Sequence, residues 1–197
     1  MPPKTSPEAT RDRILAAARS EFARYGIAGA RIDRIAKDAR TSKERVYAYF
    51  TSKEALYRHV TGQELTAIVE ATAMDPADLP GYAGRLHDYY AAHPERYRLV
   101  QWGRLELDPD NTDPGVEDPI RATMAGKLER LRQAQRDGML DRSWDPIDIL
   151  VLLNQIASAW AGQAALAPDD PDAFDAFMRD RRAAVVAAVA RLFPAPS

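Results

Sequence analysis

The 197-residue chain is 46% hydrophobic, which is enough apolar content for an ordinary globular core. It has no cysteine, which excludes a disulfide framework, thiol catalysis and thiolate zinc sites, and which suits a reducing cytoplasm. The net charge of −2 is unevenly distributed, because residues 1–60 carry 13 Lys and Arg against 7 Asp and Glu. Because residues 1–60 are basic and the rest of the chain is acidic, the charge distribution predicts that only residues 1–60 bind a polyanion.

Hydrophobic periodicity predicts an all-α protein of about nine helices, and we find no convincing strand. Ser6 and Pro7 begin the first helix, and Gly26 is expected to end it. The segment 107–118, rich in proline and aspartate, is expected to form an acidic loop. The other helices are expected at about 31–39, 43–50 and 52–73, after Pro80 and around Pro94, and at about 117–137, 145–164 and 171–193.

The segment 32–56 has the pattern of a helix-turn-helix followed by the start of a third helix. Apolar residues recur at helical spacing from Ile32 to Ala39, a polar break follows at Arg40, and Ser42 suits the N-cap of a second short helix. This motif is a common way to place a recognition helix in the major groove of DNA.

Three stretches, ILAAARSEFARYGIAGARI, IAKDA and VYAYFTSKEALY, together resemble the tetracycline-repressor (TetR) family of regulators. The matching pattern covers roughly residues 11–60, and its tail Tyr-x-Tyr-Phe-x-Ser-Lys-Glu-x-Leu makes the resemblance specific. It implies a helix-turn-helix domain at 1–55 and a helical ligand-binding and dimerisation domain at 56–197. It further implies a cytoplasmic homodimeric repressor, released from a pseudo-palindromic operator by a small-molecule effector, with no cofactor or metal.

Ten residues are candidate DNA contacts. Tyr47 lies one helical turn after Lys43 and can offer its hydroxyl to a phosphate, and Lys53 lies near exposed helix N-terminal amides; the family uses both positions for phosphate. Arg45 can bond guanine, and Glu44 can accept from cytosine N4. For each, the alternative is a solvated, paired or half-buried side chain. The full set is Arg31, Arg40, Thr41, Ser42, Lys43, Glu44, Arg45, Tyr47, Tyr49 and Lys53.

The turn departs from the usual family pattern Ala-Gly-Val-Ser at three places. Arg40 replaces the glycine, at a cost of about 1 kcal/mol if the backbone has a positive φ there. Thr41 replaces an apolar residue that usually packs inward, and Arg31 stands where Ser or Thr usually caps the second helix. We hypothesise that Arg31 and Arg40 compensate through contacts with phosphate.

Aromatic residues are concentrated in the middle helices, where an amphipathic ligand can use them. The alternative is that they form the core. The candidate ligand residues are Tyr82, Leu86, Tyr89, Tyr90, Tyr97, Trp102 and Asn154. His87 and His93 lack the spacing of a metal site, so we expect no metal.

The last two helices suit a four-helix dimer interface, with an apolar stripe of roughly heptad spacing and small residues that allow close approach. An intramolecular core is the alternative, and both can hold at once. The candidate interface residues are Ala157, Ala161, Phe174, Met178, Val185 and Val189. The uncharged segment 149–168 contains too many polar residues for a membrane span.

Two other functions compete with the ligand-released repressor. A DNA-binding activator or architectural regulator without an inducer keeps the same N-terminal domain. An all-helical enzyme is the third, but the chain has no Ser-His-Asp arrangement, glycine-rich phosphate loop or HExxH motif, so we expect no catalysis.

Overall fold

The structure, a computed structural model, describes residues 6–107 and 119–194. Within these ranges it contains nine α-helices and no strand, which confirms the predicted all-α fold. The predicted acidic loop lies, apart from Leu107, outside the described residues. The helices are α1 Pro7–Gly29, α2 Ile32–Asp38, α3 Lys43–Tyr49, α4 Lys53–Thr72, α5 Leu79–Ala92, α6 Pro94–Glu106, α7 Pro119–Arg136, α8 Pro146–Ala157 and α9 Pro171–Leu192.

Side-chain caps set the starts of the helices. The Ser6 hydroxyl accepts from the N–H of Ala9, and Asp170 accepts from the N–H of Ala173. In both helices a proline follows the cap, in the first turn where no intrahelical donor is needed. The predicted starts agree with the observed ones because these signals are local.

Two helix ends differ from the prediction. Gly26 has a φ of +69°, which breaks the regular helix, but helical turns continue beyond it to Gly29. The helix predicted at 145–164 ends at Ala157, because the Ser158 hydroxyl donates to the carbonyl of Asn154 and turns follow it. Ser side chains compete in this way with the continuing helical hydrogen bonds.

The chain divides into two compact units. The first unit comprises Met1–Glu64 and Glu95–Pro119, and the second comprises Leu65–Pro94 and Ile120–Ser197. The units do not follow the predicted boundary after residue 55, because α6 from Glu95 onward and α4 up to Glu64 group with the N-terminal helices. The functional division into 1–55 and 56–197 stays a prediction.

Tyr57 joins three helices in the core of the first unit. Its ring is fully buried and lies edge-on to Phe22 of α1, with 5.3 Å between the ring centroids. Its hydroxyl donates to the carbonyl of Leu99 on α6, with an O···O distance of 2.5 Å. A Cβ on Gly103 would lie 2.7 Å from this hydroxyl, so α6 approaches α4 closely only because residue 103 is glycine.

A buried carboxylate joins the same three helices. Glu64 of α4 has only 3% of its side chain exposed, and its two oxygens lie 2.5 Å from Nε of Arg19 and 3.2 Å from Nε of Arg96. These arginines come from α1 and α6, so one carboxylate connects both helices to α4.

In the second unit, α5 packs against α8 and α9. Their buried side chains form its core, and Asp88 of α5 pairs with Arg182 of α9 at 2.8 Å. No described helix is both long and apolar enough to cross a membrane. The core residues of these three helices include Tyr82, Leu86, Ile149, Leu150, Leu153, Val185 and Val189.

Gly103→Ala should destabilise the protein by about 2 kcal/mol, because the added methyl group overpacks the fully buried Tyr57. Gly126→Ala is the matched control: a Cβ there meets no atom within 4 Å, so the higher helix propensity of alanine should stabilise α7 by up to about 1 kcal/mol. Chemical denaturation measures both. Equal stability of the Gly103→Ala protein and the parent would contradict the close approach of α6 and α4.

Candidate nucleic-acid interface

Helix α3 divides into a buried side and an exposed side. The Ser42 hydroxyl accepts from the N–H of Arg45 and so caps the helix, as predicted. Val46 is 1% exposed and anchors the helix to the core, whereas Tyr47 is 45% exposed. Val46, the Ser42 cap and the partly buried Tyr49 hold this short helix, and its other side presents polar residues outward.

The turn between α2 and α3 is a Schellman motif built with arginine. Arg40 has a φ of +53°, so the positive φ considered for this position is present. Its N–H donates to the carbonyl of Lys37, and the N–H of Thr41 donates to the carbonyl of Ala36, at 3.1 and 2.9 Å. Such a position favours glycine, yet the Arg40 side chain is exposed, and no described residue pairs with it.

Glu21 supplies the cap that Arg31 lacks. The side chain of Arg31 makes no capping hydrogen bond at the start of α2. Instead, the buried carboxylate of Glu21 accepts from the N–H of Arg31 at 2.9 Å and from Nε of Arg34 at 2.7 Å. The guanidinium of Arg31 therefore stays exposed beside the motif.

The role of Glu21 was not predicted, although the sequence contains a signal for it. Glu21 lies seven residues after Ile14 and three after Ala18, and so falls on the apolar stripe of α1. A carboxylate on such a stripe is rarely buried without a partner, which predicts a structural hydrogen bond. Glu106, also missed, has no such signal. Its carboxylate accepts from the N–H groups of Ile27 and Ala28 and holds the end of α1.

The three charged residues at the start of α3 differ in their partners. Lys43 lies 3.2 Å from Asp33 in an exposed ion pair, which contributes little to stability. The backbone N–H of Glu44 and the Ser42 hydroxyl stabilise its carboxylate and hold the pKa of Glu44 below its usual range. The guanidinium of Arg45 is exposed and has no partner among the described residues. Arg45 is therefore the base-reading candidate most available to DNA.

The remaining candidates fall into two groups. The hydroxyl of Tyr47 has no partner in the described part of the chain. The hydroxyl of Tyr49 donates to the carbonyl of Pro7 at 3.0 Å, so its proton is already used within the chain. Nζ of Lys53 lies 3.4 Å from the carbonyl oxygens of both Ala28 and Ala30, contacts long enough to be exchanged for a phosphate.

The candidate ligand residues do not all lie in one unit. Tyr97 and Trp102 are on α6 in the first unit, and the other five are in the second. There Leu86 and Tyr89 are buried on α5 together with Tyr82, whose hydroxyl accepts from Nζ of Lys127. Tyr90 is partly buried on the same helix, and the Asn154 amide donates to the carbonyl of Leu150 in α8.

The candidate dimer residues differ in exposure. Ala157, Val185 and Val189 are at most 3% exposed in the single chain and so already belong to its core. Phe174 is 42% exposed, and Ala161 and Met178 are partly exposed. Only these last three retain surface that a second copy can cover.

Comparisons with known proteins agree with the helix-turn-helix geometry. Residues 14–60 match the family "Bacterial regulatory proteins, tetR family", and residues 78–191 match "Tetracyclin repressor-like, C-terminal domain". The second match alone covers more than half of the chain. The chain belongs to the TetR family.

Individual proteins are similar to this TetR-family chain in structure or in sequence. The transcriptional regulator SCO4942 of Streptomyces coelicolor is 61% identical; its crystal structure superposes with a TM-score of 0.78, covering 95% of this chain and 99% of that one. The HTH-type transcriptional repressor SCO4008 of Streptomyces coelicolor is 40% identical over 79% of each chain. The HTH-type transcriptional repressor NicS of Pseudomonas putida is 38% identical over 44% of each chain. The TetR-family chain is thus a DNA-binding transcription regulator.

Arg40→Gly should stabilise this TetR-family protein by about 1 kcal/mol, because glycine adopts the positive φ without strain. If Arg40 contacts a phosphate, the same change should lower the slope of log affinity for DNA against log salt by about one per protomer. Arg40→Lys keeps the charge and the strain, and is the matched control. An unchanged salt slope in Arg40→Gly would show that Arg40 does not contact phosphate.

Proposed function

We propose that the chain is a homodimeric transcription repressor that acts in the cytoplasm, binds a pseudo-palindromic operator and is released by a small-molecule effector. The observation that carries the DNA-binding part is a set of exposed side chains around α3 that pair with no other described residue: Arg31, Arg40, Arg45 and Tyr47. Repression is supported by SCO4008 and NicS, which are both named transcriptional repressors.

Two kinds of DNA contact follow from the geometry of α3. Arg45 lies in the first turn of the helix, where residues of a recognition helix meet base edges, and its free guanidinium can bond guanine O6 and N7. Arg31, Arg40 and Tyr47 are suited to phosphates, which position the protein and release counterions when they are neutralised. Lys53 joins them if it exchanges its two long carbonyl contacts for a phosphate.

Helix α8 supports the homodimer. Its sequence PIDILVLLNQIA has one charged residue, Asp148, and its exposed side carries apolar residues beside Asp148 and Gln155. One side is buried in the second unit, while Val151 and Leu152 on the other side are 44% and 37% exposed. Neighbouring apolar side chains on an exposed helix face often mark a protein–protein contact, and we propose that a second copy of α8 and α9 covers them.

The proposed interface therefore differs from the one expected from the sequence, because it consists of residues that remain exposed in the single chain. Ala157, Val185 and Val189 form the layer beneath it, and the contacting layer consists of Val151, Leu152, Ala161, Phe174 and Met178. A twofold dimer places its two recognition helices about 34–36 Å apart, or a multiple of this distance, on successive major grooves. Release then requires that the effector binds more tightly to a state with another spacing.

Selection of bound duplexes from a random DNA pool tests operator binding. Substitution of Tyr47 and of Tyr49 then tests which tyrosine hydroxyl contributes to it. Tyr47→Phe should weaken binding to the selected operator by about tenfold, through loss of a hydrogen bond to a charged phosphate, with unchanged stability. Tyr49→Phe should lower stability by about 1 kcal/mol through loss of its bond to Pro7, with little effect on the contacts of α3. Failure to select a sequence with two related half-sites would contradict the proposed operator.

Val151→Glu should convert the dimer to a monomer at micromolar concentration, because dimerisation would bury two new carboxylates in an apolar interface. Sedimentation equilibrium measures the change. Leu105→Glu, at a 75% exposed leucine of α6, is the matched control and should leave the assembly unchanged. A Val151→Glu dimer as stable as that of the parent would place the interface elsewhere.

A further inference from the structure

The second unit contains a small cavity with two cations in its wall. It has a volume of about 210 Å³ and lies among the end of α4, the segment after it and α7. Most of its lining consists of apolar or small side chains, and the charged members are Lys127 and Arg130. The lining residues are Val69, Thr72, Met74, Ala122, Thr123, Gly126, Lys127 and Arg130.

Lys127 is half-buried and its polar contacts are neutral. Its ammonium donates to the hydroxyl of Tyr82 on α5 at 2.7 Å and lies 5.3 Å from the centroid of the same ring. Arg130 donates to the carbonyl of Met74 at 3.3 Å. None of the ion pairs among the described residues includes Lys127 or Arg130, so partly buried Lys127 and exposed Arg130 line this wall without a carboxylate from the described part of the chain.

This arrangement is costly for the empty protein. Removing an ammonium from water without a counter-ion destabilises its charged form, and burial lowers the pKa of Lys127 to about 8, with a smaller effect from Arg130. Tyr82 does not supply the missing negative charge, because burial raises the pKa of its phenol to about 12. A partly buried cation in a cavity, with its charge unmatched, is typical of a binding site rather than of a core.

We propose that this cavity is the effector site and that it binds a compact organic anion, a monocarboxylate with a short apolar body. Its carboxylate pairs with Lys127 and Arg130, and its apolar body lies against Val69, Met74 and Ala122. The cavity volume lies below the usual range for drug-sized ligands, about 300–1,000 Å³, which favours a small acid. The inference rests on the proposed ligand-released repressor.

A second depression in the same unit does not have this chemistry. It is larger, about 390 Å³, and lies between the N-terminal end of α5 and the C-terminal end of α9. Its charged lining residue is Asp78, whose carboxylate already accepts from the N–H of Gly81 and pairs with Arg85. It offers no unmatched charge to select a ligand.

Titration calorimetry on the whole 197-residue chain, free of DNA, tests the site with butyrate, hexanoate and benzoate. Butyramide, hexanamide and benzamide are the neutral controls of the same shape. At least one carboxylate should bind saturably at millimolar concentration or below, and its amide should bind at least about tenfold more weakly, because only the carboxylate forms charge-assisted hydrogen bonds. Absence of binding by all three acids, or equal binding of acid and amide, would overturn the proposal.

Variants of α7 assign the binding to this cavity. Lys127→Met should weaken the bound acid by about tenfold or more, and Lys127→Arg should retain most of the affinity. Gly126→Phe should block binding by filling the cavity without changing any charge, since the space beside Gly126 is open. Arg132→Met removes an exposed cation of the same helix and should leave binding unchanged. Equal affinity in Lys127→Met and the parent would exclude this site.

The pH dependence gives a further readout. A carboxylate ligand is ionised throughout the neutral and alkaline range, so its affinity should fall as the pH rises past about 8 and Lys127 loses its proton. The groups that face Lys127 are Tyr82 from α5 and Arg130 from α7, while α4 contributes the uncharged Val69 and Thr72. In the ligand-free protein, Lys127 should make the free energy of unfolding rise between about pH 8 and its ordinary pKa of 10.5. In this range the unfolded chain still binds the proton of Lys127, whereas the folded chain has lost it.

Lys127→Met should abolish both pH effects and raise the melting temperature of the ligand-free protein at neutral pH by a few degrees, about 3 °C. A variant with the pH profile of the parent would contradict the role of Lys127.

A measurement of whether the same acids release the protein from the selected operator distinguishes failure of this inference from failure of the proposed function. Lys127-dependent binding without release would keep the site but contradict its role as the effector site. Release by another compound that is equally effective on Lys127→Met would keep the proposed function and overturn the site.

Discussion

Tyr57 lies fully buried where α1, α4 and α6 meet, with its ring edge-on to Phe22 and its hydroxyl bound to the Leu99 carbonyl. The contact places an aromatic ring and a satisfied polar group at one point, and the absence of a side chain at Gly103 leaves room for it. An aromatic residue in this geometry contributes both buried area and a directional interaction. Because α6 is held in this way, the unit that carries the recognition helix consists of more than the three helices of the motif.

Three carboxylates hold the helices of the first unit together, and they do not pair with the guanidinium groups of the exposed arginines around α3. Glu21 replaces a cap at the start of α2, Glu64 joins α4 to arginines of α1 and α6, and Glu106 holds the amides that follow Gly26. Each negative group meets either guanidinium or free N–H donors, so its burial is compensated. The exposed arginines around α3 are not needed for these contacts, and they remain available for a polyanion.

Local signals account for what the sequence predicts well, and tertiary contacts for what it misses. The cap at Ser42 and the Asp170-Pro171 start act within a few residues, so they are visible in the sequence. The packing of α6 with the first unit depends on Gly103 meeting Tyr57, 46 residues earlier in the chain, and no pattern within α6 announces it. In the sequence, Lys127 likewise resembles an ordinary surface lysine. Its contact with Tyr82 and its place in the cavity wall appear only in the structure. The DNA-contact candidates cluster around α2 and α3 as expected, yet the partners that separate Arg45 from Glu44, or Tyr47 from Tyr49, appear only in three dimensions.

Helix α4 contributes its first part to one unit and its last part to the other, and this matters for engineering hybrid regulators. A fusion joined after residue 55 would transplant the motif without Tyr57, Glu64 or α6, and would leave Phe22, Arg19 and the Ile27 amide facing foreign surfaces. The unit to be transferred consists of two segments, so Met1–Glu64 must be transferred together with Glu95–Pro119. Exchange of the first unit between relatives of this chain therefore requires that both of its segments are replaced together. The α6 residues that pack in this unit must fit the new α1 and α4.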